Sequence, residues 1–238
     1  MAKVIFHAAD KRGHADHGWL NAHHSFSFAG YHDPQKVHFG ELRVLNDDIV
    51  AGGQGFGTHP HDNMEIITIV LEGELAHKDS MGHVQTIVPG EVQVMSAGTG
   101  VRHSEYNHSM DKPTNLLQTW IFPSKRNVAP RYDQKAFDTA DRINKLQMLV
   151  SPIDNNDDGL KINQDAWIYR TQLEKGNTVS LFPHSANHGF YVFMIDGKAD
   201  AAGQLLGKRD AAGVSETDEL VIKADETSDI LIFEVPMA

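Results

Sequence analysis

The sequence predicts an all-β protein with two similar β domains and few short helices. Short apolar runs recur along the whole chain and are bounded by Gly, Pro, Asn or Asp, a pattern typical of strands joined by turns. Many short strands with this punctuation indicate a sandwich or a barrel. Helical periodicity is weak throughout, and the best helix candidate is the short segment 133–143.

The predicted strands fall into two groups. The first group covers residues 41–47, 65–73, 84–90, 91–98 and 115–122. The second group covers residues 166–173, 177–183, 189–197, 218–224 and 229–235. The segment between them is rich in Pro, Asn and Asp, and "SPIDNNDDG" at 151–159 is not expected to hold regular structure. We therefore predict a first domain over 1–130, a connector over 131–160 and a second domain over 161–238.

The composition argues against several classes of protein. Lys and Arg number 21 against 32 Asp and Glu, and the resulting net charge of −11 disfavours direct binding to nucleic acid or to anionic lipid. The absence of cysteine excludes disulfides, zinc–thiolate sites and a cysteine nucleophile. No signal peptide is evident, and no window approaches the roughly 18 apolar residues of a membrane helix. A soluble cytoplasmic protein is therefore expected.

Histidine is concentrated in the first half, where 13 of the 15 histidines lie within residues 1–108. "GFGTHPHDNMEI" carries His59 and His61, and "GTGVRHSEYN" carries His103 and Glu105. Side chains at i and i+2 of a strand point to the same face, so each pair projects together. If the two strands face each other, the four groups converge on one metal ion and leave open positions on a metal that takes six ligands.

Two other interpretations were weighed for this constellation. A single His-x-His pair in a histidine-rich chain is unremarkable, and the second pair at the same spacing is what favours a metal site. Glu65, four residues after His61, competes for the place of fourth ligand. It could equally be a carboxylate at a strand end or a group that orients a histidine.

The two halves of the chain have similar patterns, which indicates a duplicated β domain. Residues 66–79 align with 190–202 and set Gly73 against Gly197, and residues 89–97 resemble 217–225. In the second copy Pro183 and Ser185 stand in place of the first histidine pair, and the closing strand 229–235 has no polar residue for the second pair. The sequence therefore predicts one domain with metal ligands and one without.

The remaining polar clusters are interpreted as structural. His14, His17, His23 and His24 are expected in a polar surface segment rather than in a second metal site. "HSFSFAG" at 24–30 alternates like a half-buried strand with Phe26 and Phe28 in the core. Asn46, Asp47 and Asp48 are expected to form a turn, and neither Ser25 nor the two aspartates build a catalytic triad. His184 and His188 lack strand spacing.

At the two histidine motifs the sequence resembles the cupin superfamily. The first cupin motif is matched by Gly53, His59, His61 and Glu65, and its last glycine, Gly73, comes one residue late. The second motif is matched by His103 and Asn107, and Gly98 stands where that motif has a proline. Within the cupins, "GFGTHPH", "NMEIITIVLEGELAHKDS", "SAGTGVRHSEYN", "HSFSFAGYHDP" and "LRVLNDDIV" are similar to the pirin family. The resemblance is nearest to the bacterial pirin-like quercetin 2,3-dioxygenases.

The resemblance implies a bicupin of two β-barrel or jelly-roll domains and a metal held by His59, His61, His103 and Glu105. Pirins use the glutamate two residues after the third histidine, which favours Glu105 over Glu65. The implied metal is Fe(II), with Ni, Cu, Mn and Zn as the other candidates. The implied reaction opens the ring of a quercetin-type flavonol with O₂ and releases carbon monoxide, and Glu105 serves both as ligand and as catalytic base.

Two alternatives to the flavonol reaction stay open at this point. Pirins are also described as non-catalytic, metal-dependent regulatory cofactors that bind a protein partner. A cupin can also keep its metal and act on another phenol or enediol, since a fold does not fix a substrate. For an aromatic substrate the pocket walls are expected from Phe28, Phe56, Met64, Ile66 and Met95, and a monomer is expected.

Overall fold

The computed structural model describes residues 2–237, and nearly all its regular structure is β-strand. The first twelve strands are β1 Lys3–His7, β2 Gly13–Asp16, β3 Leu20–His24, β4 Leu42–Val50, β5 Gly55–His61, β6 Glu65–Glu72, β7 Leu75–Asp79, β8 Val84–Ile87, β9 Glu91–Ser96, β10 Val101–Asn107, β11 Thr114–Ile121 and β12 Arg131–Ala136. The last ten are β13 Gln147–Pro152, β14 Leu160–Ile162, β15 Trp167–Leu173, β16 Thr178–Leu181, β17 His188–Asp196, β18 Ala199–Ala201, β19 Gln204–Leu206, β20 Ala211–Ser215, β21 Leu220–Ala224 and β22 Ser228–Pro236.

Helical structure within residues 2–237 is limited to two short 3₁₀ turns, Ala9–Lys11 and Thr139–Arg142. The all-β prediction is therefore confirmed. None of the helical segments in this range is long and apolar enough to cross a membrane.

Each half of the chain builds one seven-stranded and one four-stranded sheet, and the strand order repeats. The large sheets run β12-β9-β6-β11-β4-β3-β2 and β1-β20-β17-β22-β15-β13-β14. The small sheets run β5-β10-β7-β8 and β16-β21-β18-β19. The two halves share this strand order, as expected of a duplicated domain, except that β1 fills one edge of the second large sheet and that β14 pairs parallel to β13 where β2 pairs antiparallel to β3.

Gly73 and Gly197, which the sequence alignment sets against each other, occupy the same turn in the two halves. Their φ angles are +78° and +88°, in the left-handed region that glycine tolerates. A Cβ atom would lie 2.5 Å from the Thr114 hydroxyl in the first half and 2.6 Å from the Ser228 hydroxyl in the second. Each hydroxyl accepts a hydrogen bond from the backbone N–H of the residue after the glycine.

Other parts of the predicted alignment are wrong. The counterpart of β10 is β21, whereas the closing strand, β22, takes the position of β11. The counterpart of β9 is β20. The pattern misled because apolar alternation recurs in every strand and carries no register. The buried residues of β21 are Leu220, Ile222 and Ala224, and the absence of metal ligands from the second domain stays a prediction.

Three local predictions are also wrong. The helix expected at 133–143 is divided between β12 and the second 3₁₀ turn, because β12 pairs with β9 along its whole length. "NDD" at 46–48 lies within β4, where pairing with β3 and β11 on both sides overrides the turn preference of its residues. Residues 25–30 follow the end of β3 and form no strand of their own beyond one isolated bridge at Phe28.

The boundaries at 130 and 160 stay a prediction, and two features cross them. β12 and β13 lie within the expected connector, and β12 completes the large sheet of the first half. β1 pairs with β20, so the first strand of the chain belongs to the large sheet of the second half. β1 there occupies the edge that β12 occupies in the first sheet.

The largest apolar core lies between the two seven-stranded sheets. Ile67 and Leu117 from the first sheet and Phe193 and Phe233 from the second belong to one buried cluster. Since side chains alternate along a strand, Thr68 and its neighbours of the same parity face the other way, into the barrel of the first half. The inter-sheet core therefore determines which residues line the barrel interior.

The left-handed turn at Gly197 provides a stability test. We expect Gly197→Ala to destabilise more than Gly203→Ala, because both glycines have positive φ but only Gly197 has atoms within 4 Å of the added methyl group. The backbone cost alone is about 1–2 kcal/mol, and the steric clash adds about 1–3 kcal/mol. Urea unfolding of both variants measures the difference, and equal values would show that the close approach is not a constraint.

Candidate metal centre

The pairing of β5 with β10 brings three histidines together. His59 lies opposite His103 in the antiparallel register, and their Nε2 atoms are 3.0 Å apart. His61 follows at the i+2 position and faces the same side. The ligand atoms of the three side chains all lie within 4.8 Å of one another.

Glu105 is placed by an irregularity in the same pairing. The register shifts between His103 and Glu105, so that Glu105 lies opposite Phe56. Its carboxylate falls within 4.8 Å of ligand atoms of His77 and His103. The structure therefore does not gather the four predicted residues into one group: it forms two groups of three that share His103.

The Glu105 carboxylate is buried and held by polar side chains of the large sheet. The Gln118 amide donates to both carboxylate oxygens at 3.2 and 3.0 Å. The Thr68 hydroxyl lies 3.0 Å from the amide oxygen of Gln118, which orients that amide with its NH₂ group toward Glu105. Burial raises the pKa of Glu105, and nearby His77 and the bond from Gln118 oppose that rise.

His61 and His103 have the protonation state that a metal ligand requires. Burial, reinforced by the neighbouring imidazoles, lowers the pKa of His61 to about 4 and that of His103 to about 3, so both rings are neutral at pH 7. His59 Nδ1 lies 2.8 Å from the carbonyl oxygen of Gly57. A carbonyl only accepts, so Nδ1 carries the proton and Nε2 presents its lone pair to the cluster.

Two observations test whether a metal ion fits here. Ligand nitrogens at about 2.1 Å from a metal and at right angles to each other are about 3 Å apart, which matches the separation of the His59 and His103 Nε2 atoms. His103 Nδ1 is buried and has no hydrogen-bond partner among the described residues. The three histidines therefore fit a divalent transition metal.

His77 belongs to this region and was not identified from the sequence. Its Nε2 lies 3.4 Å from Asp79 Oδ2, and its Nδ1 lies 3.1 Å from the Gln93 amide nitrogen. Both ring nitrogens are therefore engaged, which leaves no lone pair for a metal. Its position opposite Glu105 in the β7–β10 pairing is the signal that could have identified it, and that position can be found only when the strand register is known.

Glu65, the competing candidate for fourth ligand, points to a different part of the molecule. Its carboxylate accepts hydrogen bonds from the Ser96 hydroxyl at 2.7 Å and from the Asn163 amide at 3.2 Å. Glu65 belongs to neither group of candidate ligands in the described chain. It links the first half to a residue of the second half.

Asp47 and Asp48 have separate environments on β4. Asp47 lies 3.5 Å from Arg12 and 3.1 Å from Arg209, so it joins the N-terminal segment and the second half to β4. Asp48 faces the barrel, and burial, together with the charges of Asp47 and Glu105, raises its pKa to about 8. A protonated carboxyl group is therefore available close to Glu105 near neutral pH.

A cavity of about 660 Å³ adjoins the centre. Its walls include His14, His17, Trp19, His24, Phe28 and Phe56. Phe56 is the residue opposite Glu105, and Phe28 packs at 5.3 Å against Trp120, which packs at 5.0 Å against His61. None of the four predicted ligands lines the cavity, and Trp120 separates its Phe28 wall from His61.

This cavity changes two expectations. In the histidine-rich segment expected on the surface, His14 and His17 are exposed as expected, but His24 is buried, and the segment forms strands β2 and β3 and one cavity wall; among the described residues it contributes to neither group of candidate ligands. Phe28 and Phe56 line the cavity as expected. Met64, Ile66 and Met95 do not, because they pack with Trp120 in a separate apolar cluster.

Comparisons with known proteins agree with this architecture. A family profile described as Pirin matches residues 5–121, and one described as Quercetinase C-terminal cupin domain matches residues 148–235. The chain is 42% identical over 233 residues to a quercetin 2,3-dioxygenase of Escherichia coli strain K12, covering 98% of this chain and 99% of that protein. It is 40% identical over 225 residues to a pirin-like protein of Caulobacter vibrioides, covering 94% and 96%.

Among solved structures, the chain is similar to the bacterial pirin YhhW of Escherichia coli in complex with nickel(II). The TM-score is 0.93 at 40% sequence identity, covering 99% of this chain and 100% of that chain. The structure of YhhW described without nickel gives a TM-score of 0.94 at 41% identity.

The hydrogen bonds to Glu105 predict how metal binding depends on pH. A protonated carboxyl group does not bind a metal, so affinity falls as pH falls through the pKa of Glu105. Gln118→Leu removes bonds that lower this pKa, and the midpoint of metal loss should move to higher pH. At pH 7 the affinity should fall about 10- to 100-fold.

The measurement is a pH titration of metal content after equilibrium dialysis. The control is Gln85→Leu, since Gln85 is exposed on β8 and makes no contact with Glu105 in the hydrogen bonds of the described chain. An unchanged midpoint in Gln118→Leu would show that Glu105 does not contribute to binding.

Proposed function

The chain belongs to the pirin family, with two cupin domains, and on that premise we propose that it is a metal-dependent dioxygenase. The proposed reaction opens the ring of a quercetin-type flavonol with O₂ and releases carbon monoxide. The observation that carries the proposal is the cluster of three converging histidines near an aromatic-lined cavity. Relatives named quercetin 2,3-dioxygenase support the assignment.

The proposed ligands are His59, His61, His103 and Glu105. The three histidines present converging nitrogen atoms, and Glu105 adds the carboxylate next to His103. Fe(II) is the proposed metal; the nickel-bound relative supports a transition metal of the group Fe, Ni, Cu, Mn and Zn.

A bound divalent metal would supply a Lewis acid that lowers the pKa of the flavonol hydroxyl and permits chemistry with O₂. The protein supplies the base, since burial raises the pKa of Glu105 and so strengthens its affinity for the hydroxyl proton. Thr68 and Gln118 hold the carboxylate in place before the proton moves. Proton transfer leaves an electron-rich flavonolate that can react with O₂.

The cavity supplies the place for the rings of the substrate. Its volume falls within the range of about 300–1,000 Å³ typical of small-molecule sites. Trp19, Phe28 and Phe56 offer apolar faces against which flat rings pack and from which they displace water. Since Phe56 is opposite Glu105, a ring on Phe56 lies next to the proposed base.

Removing one histidine tests the proposal. We expect wild-type protein to bind metal stoichiometrically and to consume quercetin in air and not under argon. His59→Ala should lose the metal, and kcat/KM should fall by more than about 100-fold, since even residues outside the ligand set change metal affinity by about 10- to 100-fold. The measurements are elemental analysis, quercetin absorbance and carbon monoxide release.

The control for this experiment is His108→Ala, because His108 is exposed and lies outside both groups of candidate ligands. It should keep both metal and activity. The enzyme proposal fails if wild-type protein loaded with Fe, Ni, Cu or Mn turns over neither a flavonol nor a related phenol or enediol. A metal-dependent regulatory role with a protein partner would then be the better account.

A further inference from the structure

We infer that His24 determines substrate specificity, its Nε2 atom accepting a hydrogen bond from a phenolic hydroxyl remote from the reacting edge of the flavonol. The inference rests on the proposed function, since it assigns a role within the same cavity. It concerns a residue that contacts substrate but neither the metal nor the reacting atoms.

The position of His24 follows from the strand register. His24 is the last residue of β3 and pairs with Asn46 on β4, which in turn pairs with Gln118 on β11. Directly paired residues project to the same face of a sheet, so His24 lies on the face that carries Gln118, the partner of Glu105. The His24 side chain lines the cavity although it is only 4% exposed.

A row of aromatic contacts links His24 to the metal centre. The ring of His61 packs at 5.0 Å against Trp120, Trp120 at 5.3 Å against Phe28, and Phe28 at 5.3 Å against His24. Three consecutive ring contacts therefore separate the histidine cluster from His24. A substrate that reaches from the centre along this row brings a distant ring, and not its reacting edge, to His24.

The hydrogen bonding of His24 defines which of its nitrogens is free. Nδ1 lies 2.9 Å from the amide oxygen of Asn46, which accepts but does not donate, so Nδ1 carries the proton. Burial, the largest cause, lowers the pKa of His24 and keeps the ring neutral. Nε2 is therefore a lone-pair acceptor, and it has no hydrogen bond with another described residue.

A phenolic hydroxyl is the ligand group that matches this acceptor. The neighbouring walls are the rings of Phe28 and Tyr31, with centroids 5.3 and 6.4 Å from that of His24. They favour a flat aromatic ring, and an unpaired acceptor beside them favours a donor on its edge. A site built to accept a hydroxyl discriminates against analogues that lack it, because such analogues offer the His24 Nε2 lone pair no donor.

The test compares three flavonols on anaerobic holoprotein by quenching of tryptophan fluorescence. Quercetin carries hydroxyls on its outer rings, and the unsubstituted parent flavonol has only the reacting 3-hydroxyl. The third compound is quercetin in which every hydroxyl except the 3-hydroxyl is O-methylated. We expect wild type to bind quercetin about 10-fold more tightly than either analogue. The methylated analogue shows that the site accepts a hydrogen bond from the ligand, since a methoxy group cannot donate.

His24→Phe keeps an aromatic ring and removes the acceptor. Its three affinities should become equal within about 2-fold, while its metal content stays that of wild type. The control is His108→Phe, since His108 is exposed and lies outside the cavity walls, and this variant should keep the wild-type preference. Thermal unfolding shows whether His24→Phe is folded, and His24→Leu, which removes the same acceptor with a smaller side chain, takes its place if it is not.

The outcomes separate this inference from the proposed function. If wild type binds and consumes quercetin but shows no preference over the methylated analogue, the role of His24 is wrong and the dioxygenase stands. If the preference exists and survives in folded His24→Phe, another residue accepts the hydroxyl and the inference is also wrong. If wild type neither binds nor consumes any of the three, the proposed function itself fails.

Discussion

The arrangement of the centre depends on the antiparallel pairing of β5 with β10 and on the one register shift within it. The regular part of the pairing sets His59 against His103, and the shift then places Glu105 opposite Phe56. On its other edge β10 pairs with β7, which brings His77 opposite Glu105. Because β10 is held on both edges, the acidic and imidazole groups have fixed relative positions before any ligand arrives.

Burying these groups is costly, and the barrel offsets the cost by collecting polar residues in one layer. Thr68, Gln118 and Gln93 bind Glu105 or His77 directly, although Asp48 Oδ1, Gln93 Oε1 and His103 Nδ1 are buried without a hydrogen-bond partner among the described residues. Apolar clusters flank this layer on both sides. The second half fills the same topology with an apolar cluster that runs through both of its sheets. One architecture thus serves once as a site and once as a packed scaffold.

The sequence was sufficient where the information is local. The i, i+2 spacing of His59 and His61 predicts that they share a face, and the two glycines at 73 and 197 predict a repeated turn. It was insufficient where strands meet. Nothing in the pattern shows the shift beside Glu105 or the pairing of His77, because register is a relation between distant segments.

The same reason explains the errors on β4 and β12. "NDD" has strong turn preferences, and residues 133–143 suit a short helix. Each segment instead pairs with neighbouring strands that the local sequence does not specify. The cavity wall was missed likewise, since a histidine-rich segment looks solvated until β3 is known to pair with β4.

The position of β1 in the large sheet of the second half also has a consequence for how the chain folds. Lys3 pairs with Ser215, so the second sheet cannot gain its edge until almost the entire polypeptide has left the ribosome. Contacts this distant in sequence raise the contact order, which slows folding because a long loop must close first. Until then the N-terminal segment has no partner in its sheet, and the edge of β20 stays open to strands of other molecules. A chain cut between its two cupin halves would separate β1 from β20 and keep that edge open permanently.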